Sequence, residues 1–249
     1  MKITVLVENS TRIDNYLLAE PALSFFIEHK DKKILFDTGY SSVYMQNVKT
    51  LSLDLNNITD IVISHGHNDH TGGLRFFNSD NSKIQLTAHP NIFDEKLEID
   101  GTPYGCPVTK DKLLSQFELN LVKEPFYITN DLLFLGEIEG NNSTDIDDSA
   151  LVYIFQNELF IITGCSHSGI MNIINYAKKI TGINKINGIL GGLHLIDKTD
   201  FELEKIAKSF KDENIKYIAP CHCCDLRAKI ILAQYNEIQD ICTGDIITI

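Results

Sequence analysis

Alternating apolar and polar positions dominate the start of the chain and predict β-strands at residues 3–7, 23–28 and 33–36. Apolar residues then recur with helical spacing over residues 41–53, which predicts an amphipathic helix. A short, almost wholly apolar stretch at residues 58–64 predicts a buried strand. The first part of the chain is therefore expected to form a sheet with a helix against it.

The pattern of predicted elements changes in the second half of the chain, where strands and helices alternate. Residues 93–116 show weak periodicity because glycines and prolines interrupt it, so an irregular excursion or lid is predicted there. Each half has strands first and βα units later, which favours two sheets packed face to face with helices outside, in one domain spanning residues 1–249. The remaining predicted elements are strands at 84–88, 117–122, 127–129, 132–135, 150–155, 158–163, 186–190, 215–219 and 246–249, helices at 169–180, 201–214 and 226–235, and a loop at 140–144.

Composition narrows the classes of function. With 22 Lys plus Arg against 34 Asp plus Glu, the 249-residue chain has a formal net charge of −12, which argues against broad binding to nucleic acid or to an anionic membrane. No apolar run approaches the roughly 20 residues that span a bilayer. The apolar stretch at the start of the sequence is too short for a signal peptide, and an acidic residue follows it too soon. Six sparse cysteines are then expected to be reduced, which favours a cytoplasmic location. The pattern indicates no oligomeric state.

Four metal-ligand residues occur within six positions directly after the strand predicted at 58–64: His65, His67, Asp69 and His70. Imidazole and carboxylate are common ligands of zinc and similar metals. Alternate side chains of an extended segment share a face, so the first two histidines can approach one ion, and Asp69 and His70 can reach a second ion close to the first. This cluster predicts a metal site.

Three later histidines, His167, His194 and His222, also follow predicted strands, at positions where loops often carry function. The two others, His29 and His89, are expected to be bystanders. Cysteines surround His222, but a zinc knuckle needs a second paired cluster, and the sequence contains none. Strand alternation is expected to turn Cys221 and Cys223 away from His222.

Residues 64–73, Ser-His-Gly-His-Asn-Asp-His-Thr-Gly-Gly, resemble the signature of the metallo-β-lactamase-fold superfamily. The Asp-Thr-Gly turn at residues 37–39 is similar to another of its features. The resemblance implies an α/β protein of the α+β type, a four-layer αββα sandwich with a one- or two-metal site at the sheet edges. In such proteins the acid equivalent to Asp37 supports the site.

Three downstream motifs resemble one subgroup, named after the archaeal enzyme that joins a dihydropterin to ribofuranosylaminobenzene phosphate. They are Gly-Cys-Ser-His-Ser-Gly at 164–169, Gly-Gly-Leu-His-Leu at 191–195 and Pro-Cys-His-Cys at 220–223, with Asp147-Asp148 as a further match. The chain departs from the subgroup at 20–22, where Glu-Pro-Ala replaces the usual Glu-His-Gly, and at 222–225, where His-Cys-Cys-Asp replaces His-Cys-Thr-Gly. The first departure removes a histidine that would face the substrate.

The resemblance implies one or two divalent ions, zinc above all, with manganese or iron as alternatives. Either His194 or His222 completes the ligand set; we assign His222 as ligand and His194 as catalytic acid or base, with Asp69 as a second catalytic group. Cys165 follows Gly164 where the superfamily places a bridging acid, and a thiolate can bind zinc. A neutral imidazole needs no ionisation, which favours His167. Further candidate ligands or supporting groups are Asp148, Cys165 and Asp37, and the assigned metal ligands are His65, His67, Asp69, His70, His167 and His222.

These residues predict a metal-dependent hydrolase acting on a small substrate of ester type, phosphorylated or not. Bound divalent ions would concentrate positive charge in the cleft, so an anionic small molecule is compatible with an acidic protein. One alternative is group transfer of the kind catalysed by the archaeal synthase. Another is a non-catalytic or di-iron redox module.

Overall fold

The computed structural model describes residues 1–77, 84–140 and 143–249. Within these residues the chain forms strands, α-helices and short 3₁₀ helices. The strands are β1 (Lys2–Val7), β2 (Ser24–His29), β3 (Lys32–Phe36), β4 (Asp60–Val62), β5 (Gln85–Ala88), β6 (Glu118–Leu121), β7 (Phe126–Thr129), β8 (Leu132–Phe134), β9 (Ala150–Phe155), β10 (Glu158–Thr163), β11 (Ile186–Gly192), β12 (Tyr217–Cys221) and β13 (Ile246–Thr248). The α-helices are α1 (Val43–Thr50), α2 (Asn68–Thr71), α3 (Lys110–Leu114), α4 (Ile170–Thr181), α5 (Asp200–Asp212) and α6 (Leu226–Ala233), and the 3₁₀ helices are Gly72–Arg75 and Pro90–Phe93.

The first compact unit comprises residues 1–122 and 242–249 and contains a sheet in the order β13-β1-β2-β3-β4-β5-β6. Strands β1 to β3 pair antiparallel, and β3 to β6 pair parallel. Side chains such as Leu35, Ile61 and Leu86 pack with Tyr44 and Val48 of α1 to form its hydrophobic core. Because β3, β4 and β5 run parallel, the loops after their carboxyl ends lie along one sheet edge.

The second unit comprises residues 123–241 and contains a sheet in the order β12-β11-β10-β9-β8-β7. Strands β10, β11 and β12 are parallel neighbours, whereas β7 to β10 pair antiparallel. Ile161, Ile189 and Ile218 pack with Ile173 of α4 and Phe210 of α5 in its core. The loops after β10, β11 and β12 therefore meet at one edge, and these are the loops that carry the later histidines.

The predicted elements agree with the observed ones to within about two residues, with two exceptions. Helix α1 ends at Thr50 rather than at residue 53, and Ser52 just beyond it has a left-handed φ of 54°. The prediction of an irregular segment over 93–116 is wrong for Lys110–Leu114, where Thr109 caps helix α3 by accepting a hydrogen bond from the Lys112 amide. The predicted loop at 140–144 lies partly outside the described residues, at 141 and 142.

Across the part of the chain that the structure describes, no helix has both the length and the apolar character needed to cross a membrane.

Candidate metal centre

Three imidazoles of the 65–70 segment pack against one another in the first unit. His67 has extended backbone (φ −68°, ψ 149°) and is the N-cap residue of α2, so the chain turns into the helix directly after it. The ring centroid of His65 lies 4.4 Å from that of His67 and 4.2 Å from that of His70. The His67 ring also contacts the edge of Tyr104 at 4.9 Å. His65 and His70 are fully buried.

Asp37 organises two of these rings through a buried hydrogen-bond network. Its Oδ2 accepts hydrogen bonds from His70 Nδ1 at 2.7 Å and from Ser64 Oγ at 2.7 Å, and its Oδ1 accepts from the Ser64 amide at 2.8 Å. Because the Ser64 hydroxyl donates to Asp37, its oxygen accepts from His65 Nδ1 at 2.9 Å. Both imidazoles therefore carry their proton on Nδ1 and have the lone pair on Nε2, the arrangement that metal-ligating histidines use.

The donor set of the first unit fits a divalent metal ion. Asp69 Oδ2 lies 3.7 Å from His70 Nε2, a little more than the roughly 3.4 Å that separates two ligands bound at about 2.1 Å to one tetrahedral ion. Metal-ligating histidines usually donate their other ring N–H to a carboxylate or a similar acceptor, as His70 and His65 do here. Asp37 is thus a supporting acid, because the protein uses both of its oxygens.

Two glycines let the Asp37 turn approach α2. A Cβ at Gly73 would lie 2.0 Å from the carbonyl oxygen of Thr38, and one at Gly72 would lie 2.2 Å from that of Tyr40. The Thr38 amide and hydroxyl both donate to the His70 carbonyl, at 2.7 and 2.9 Å. The Thr-Gly-Gly sequence after His70 therefore allows the close packing that brings Asp37 to the imidazoles.

In the second unit, hydrogen bonds join the loops after β10, β11 and β12. The hydroxyls of Thr163 and Ser166 donate to the Gly192 carbonyl, at 2.8 and 2.7 Å. The Leu195 amide donates to the Cys223 carbonyl at 3.1 Å. The ring centroids of His167 and His194 lie 4.4 Å apart. The structure thus brings these two histidines together, and His222 follows the neighbouring strand in the same sheet.

Non-glycine residues with left-handed backbone occur at each of these loops. Ser166 has a φ of 67°, His194 of 48° and His222 of 55°. In the first unit Asp37 has a φ of 55°. Such conformations are uncommon for non-glycine residues, and their clustering is typical of functional sites, where the surrounding contacts maintain the strain.

Cys223 is a site residue that the sequence argument missed. Strand β12 ends at Cys221, and the left-handed φ of His222 breaks the alternation on which the expected orientation of Cys223 depended. Its Sγ accepts a hydrogen bond from the His194 amide at 3.1 Å and donates to the Cys165 carbonyl at 3.4 Å. The Pro-Cys-His-Cys motif is evident in the sequence, but the contacts of the Cys223 thiol with His194 and Cys165 are not.

Local interactions shift the pKa values of His194 and Cys223. The pKa of His194 is raised, chiefly by a hydrogen bond with Cys223, and burial opposes this effect. Burial favours the neutral thiol of Cys223, but hydrogen bonds with Cys165 and His194 and the charge of His222 outweigh it and hold the pKa well below its usual value.

Two acids of the second unit lie next to the His167 loop. Asp148 is fully buried, and its Oδ2 accepts hydrogen bonds from the Ser168 amide at 2.9 Å and from the Ser168 hydroxyl at 2.5 Å. Its Oδ1 has no hydrogen-bond partner among the described residues. Asp145, which the sequence argument also missed, lies with Oδ2 3.5 Å from His167 Nδ1. Asp148 therefore holds the loop that carries His167.

We expect Asp148 to make the metal-free protein less stable as the pH rises. Burial raises its pKa to about 7, so between pH 4 and 7 the folded state retains a proton that the unfolded state has lost. The free energy of unfolding then falls with pH, and the displacement from 3.8 to about 7 corresponds to roughly 4 kcal/mol. Urea unfolding of chelator-treated wild type and Asp148→Asn across this range measures the difference; parallel pH profiles would contradict the prediction.

The two histidines that were not expected to take part in the site, His29 and His89, are both buried in the first unit. His29 ends β2 and is 5% exposed. His89 is fully buried, and its Nδ1 accepts a hydrogen bond from the Asn91 amide at the start of the 3₁₀ helix Pro90–Phe93.

A cavity of about 470 Å³ in the first unit adjoins the histidine segment. Asn68, which lies between two candidate ligands, lines it together with Tyr40, Arg75 and Lys96. Most of its lining, including Lys96, Phe93, Pro103 and Pro107, comes from the segment predicted as an excursion. The amide of Asn68 donates to the Tyr104 carbonyl at 2.8 Å and so ties this segment to the histidines.

Comparison with known proteins agrees with this geometry. A family model described as the metallo-beta-lactamase superfamily matches residues 18–86. The chain belongs to the metallo-β-lactamase superfamily, and the fold class predicted from the sequence is confirmed.

Relatives and solved structures extend the match over almost the whole chain. A Methanocaldococcus jannaschii protein named 7,8-dihydropterin-6-methyl-4-(beta-D-ribofuranosyl)-aminobenzene-5'-phosphate synthase is 30% identical, covering 95% of this chain and 92% of its own. An uncharacterized protein of the same organism is 32% identical, covering 94% and 95%. The crystal structure of Tm1679, described as a metal-dependent hydrolase of the β-lactamase superfamily, is 28% identical and superposes with a TM-score of 0.88, covering 100% and 99%.

Proposed function

We infer that this protein is a metal-dependent hydrolase that acts on a small, ester-type substrate. The observation that carries the inference is the Asp37 network, which sets the tautomer of both His65 and His70 so that the lone pair is on Nε2. The similarity to Tm1679, itself described as a metal-dependent hydrolase, supports the same reaction class.

The proposed ligands bind one or two divalent ions. A divalent ion at such a site supplies a nucleophile at neutral pH, because coordination lowers the pKa of water to near 7. Zinc suits imidazole and carboxylate donors best, with manganese or iron as alternatives. The ligands are His65, His67, Asp69 and His70 in the first unit and His167 and His222 in the second.

Two side chains are proposed to handle protons. Asp69 keeps part of its carboxylate accessible, so it can accept a proton from water as the water attacks. His194 is half-buried, and its ring lies 4.4 Å from that of His167, so a ring N–H can donate to the leaving group. Asp148 and Asp37 position the loops and rings but do not touch the substrate.

A metal-loaded sample tests the reaction class directly. We expect about one or two equivalents of metal by elemental analysis and turnover of at least one compound in a panel of aryl phosphomonoesters, phosphodiesters, thioesters and lactones. Chelation should abolish turnover, and added zinc or manganese should restore it. A protein that holds metal but turns over no compound in the panel would count against hydrolysis.

Group transfer is the second candidate, favoured by the 30% identity to the Methanocaldococcus jannaschii synthase. Glu20, which begins the segment that departs from the subgroup, accepts hydrogen bonds from the Tyr40 and Ser41 amides and has a structural role. The same metal-loaded sample, given a dihydropterin diphosphate and ribofuranosylaminobenzene phosphate, separates the two. Diphosphate release that depends on the amine indicates transfer, and release without it indicates hydrolysis.

A further inference from the structure

The second unit contains a sulfur-rich group of side chains that the proposed hydrolysis does not use as a metal site. One donor atom each from Cys165, His194 and Cys223 can be chosen so that all lie within 4.8 Å of one another. Cys165 is buried, and the other two side chains are half-buried. Two thiols and an imidazole at this spacing form a compact set of soft donors.

The loops after three parallel strands hold these donors in place. Cys223 Sγ is tied to the His194 amide at 3.1 Å and to the Cys165 carbonyl at 3.4 Å, so it contacts the loops after both β10 and β11. Gly192 makes this packing possible, because a Cβ there would lie 2.7 Å from Cys223 Sγ and 2.3 Å from the Gly164 carbonyl. Hydrogen bonds and close backbone packing therefore hold the cluster at the edge of the sheet.

One ring nitrogen of the cluster is buried without a hydrogen bond. Nδ1 of His194 is buried, and it has no hydrogen-bond partner in the described part of the chain. Burying a polar nitrogen without a partner is unfavourable, and a metal ion would satisfy it. The left-handed φ of 48° at His194 is a second cost that places this ring beside the two sulfurs.

We propose that Cys165, His194 and Cys223 bind a thiophilic cation, such as zinc or cadmium, through two thiolates and one imidazole. A tetrahedral zinc ion with bonds of about 2.3 Å to sulfur and 2.0 Å to nitrogen separates its ligands by roughly 3.5–3.8 Å, so the present spacing needs only a small contraction. The two thiol protons pass to solvent on binding, and two thiolates balance a divalent charge. Three protein ligands leave the fourth tetrahedral position open.

Binding here has a consequence that rests on the proposed function. His194 cannot donate a proton to a leaving group while one of its nitrogens holds a cation and the ring is fixed by it. Excess thiophilic metal is therefore expected to inhibit a hydrolase that the histidine-bound ions activate.

Cadmium titration tests the site without reference to activity. Wild-type protein, with its histidine ligands already loaded with zinc, should develop near-ultraviolet thiolate-to-metal absorption as cadmium is added. Cys223→Ser and Cys165→Ser should each weaken cadmium binding at least tenfold and lower the absorption, because a hydroxyl is a much poorer ligand for a soft ion. Cys242→Ser is the matched control, since Cys242 is a buried cysteine of the first unit.

Each outcome decides the proposal. Thiolate absorption that persists unchanged in both Cys223→Ser and Cys165→Ser overturns it, as does equal loss in Cys242→Ser. Circular dichroism and the zinc content of each variant exclude misfolding as the cause of a loss. If the protein shows thiolate absorption but no hydrolysis of the substrate panel, the cation site stands and the proposed hydrolase function is wrong. If it hydrolyses a substrate but shows no thiolate absorption, the hydrolase function stands and the cation site is wrong.

Discussion

Replacing His67 by alanine is expected to remove bound metal and to lower turnover more than about 100-fold. Loss of a residue that only supports a metal ligand typically costs 10–100-fold in affinity or activity, and loss of a direct ligand costs more. His67 is half-buried, and its ring packs on His65 and Tyr104, so the fold should tolerate the change. Elemental analysis and turnover of the best substrate in the panel give the two measurements.

His67→Asn separates the loss of a ligand from damage to the helix. His67 is the N-cap residue of α2, and asparagine is a good N-cap whereas alanine is a poor one. If metal is lost because α2 is disturbed, the asparagine variant should recover it; if the imidazole is the ligand, both variants should lose it alike. Wild-type metal content and turnover in His67→Ala would exclude this residue from the site and weaken the hydrolase proposal.

Asp37 is expected to give the largest effect of any residue that does not itself bind metal. Asp37→Ala leaves the Ser64 amide, the Ser64 hydroxyl and His70 Nδ1 without their buried acceptor. Each stranded donor costs about 1–3 kcal/mol, so we expect a loss of roughly 3 kcal/mol or more in the free energy of unfolding. Alanine also tolerates the φ of 55° at this position poorly. Urea unfolding of the metal-free proteins measures this loss.

Asp37→Asn isolates the effect on the metal. Asparagine tolerates left-handed backbone and keeps the shape of the side chain, so the stability loss should be smaller than for alanine. Its amide group has one acceptor oxygen instead of two, so it cannot accept from the Ser64 amide and from His70 at the same time, and the tautomers with the lone pair on Nε2 are no longer enforced. Metal affinity, measured by competition with a chromophoric chelator, should fall 10–100-fold. Wild-type affinity in this variant would show that the network does not prepare the ligands.

The regular elements could be predicted from the sequence because their periodicity is local. The hairpin strands β9 and β10 were predicted with the bounds observed, since two apolar runs are separated only by the polar turn at residues 156 and 157. Helix α3 was missed because the glycines and prolines before it hide a helix of five residues whose only clear mark is the Thr109 cap. Helix α1 ended early because the left-handed Ser52 stops it while the apolar spacing continues.

Some residues of the candidate site could likewise be identified from the sequence, and others only from the structure. Residues 65–70 were identified from the sequence because their spacing alone indicates metal binding. Ser64 and Cys223 were not, because a serine or a cysteine beside a histidine has no distinctive spacing of its own. Their roles depend on contacts with Asp37, 27 residues away from Ser64, and with His194, 29 residues away from Cys223.

The sequence by itself determined which residues of this protein are chemically equipped to bind metal and which strands they follow. It did so because alternation, turn residues and ligand spacing are properties of neighbouring positions. Only the tertiary structure decided which nitrogen of His65 and His70 carries the proton, and that Cys223 lies against Cys165 and His194. Those facts depend on parallel strands that, within each sheet, bring distant loops to one edge, where hydrogen bonds at 2.7–3.4 Å set the orientation of each side chain.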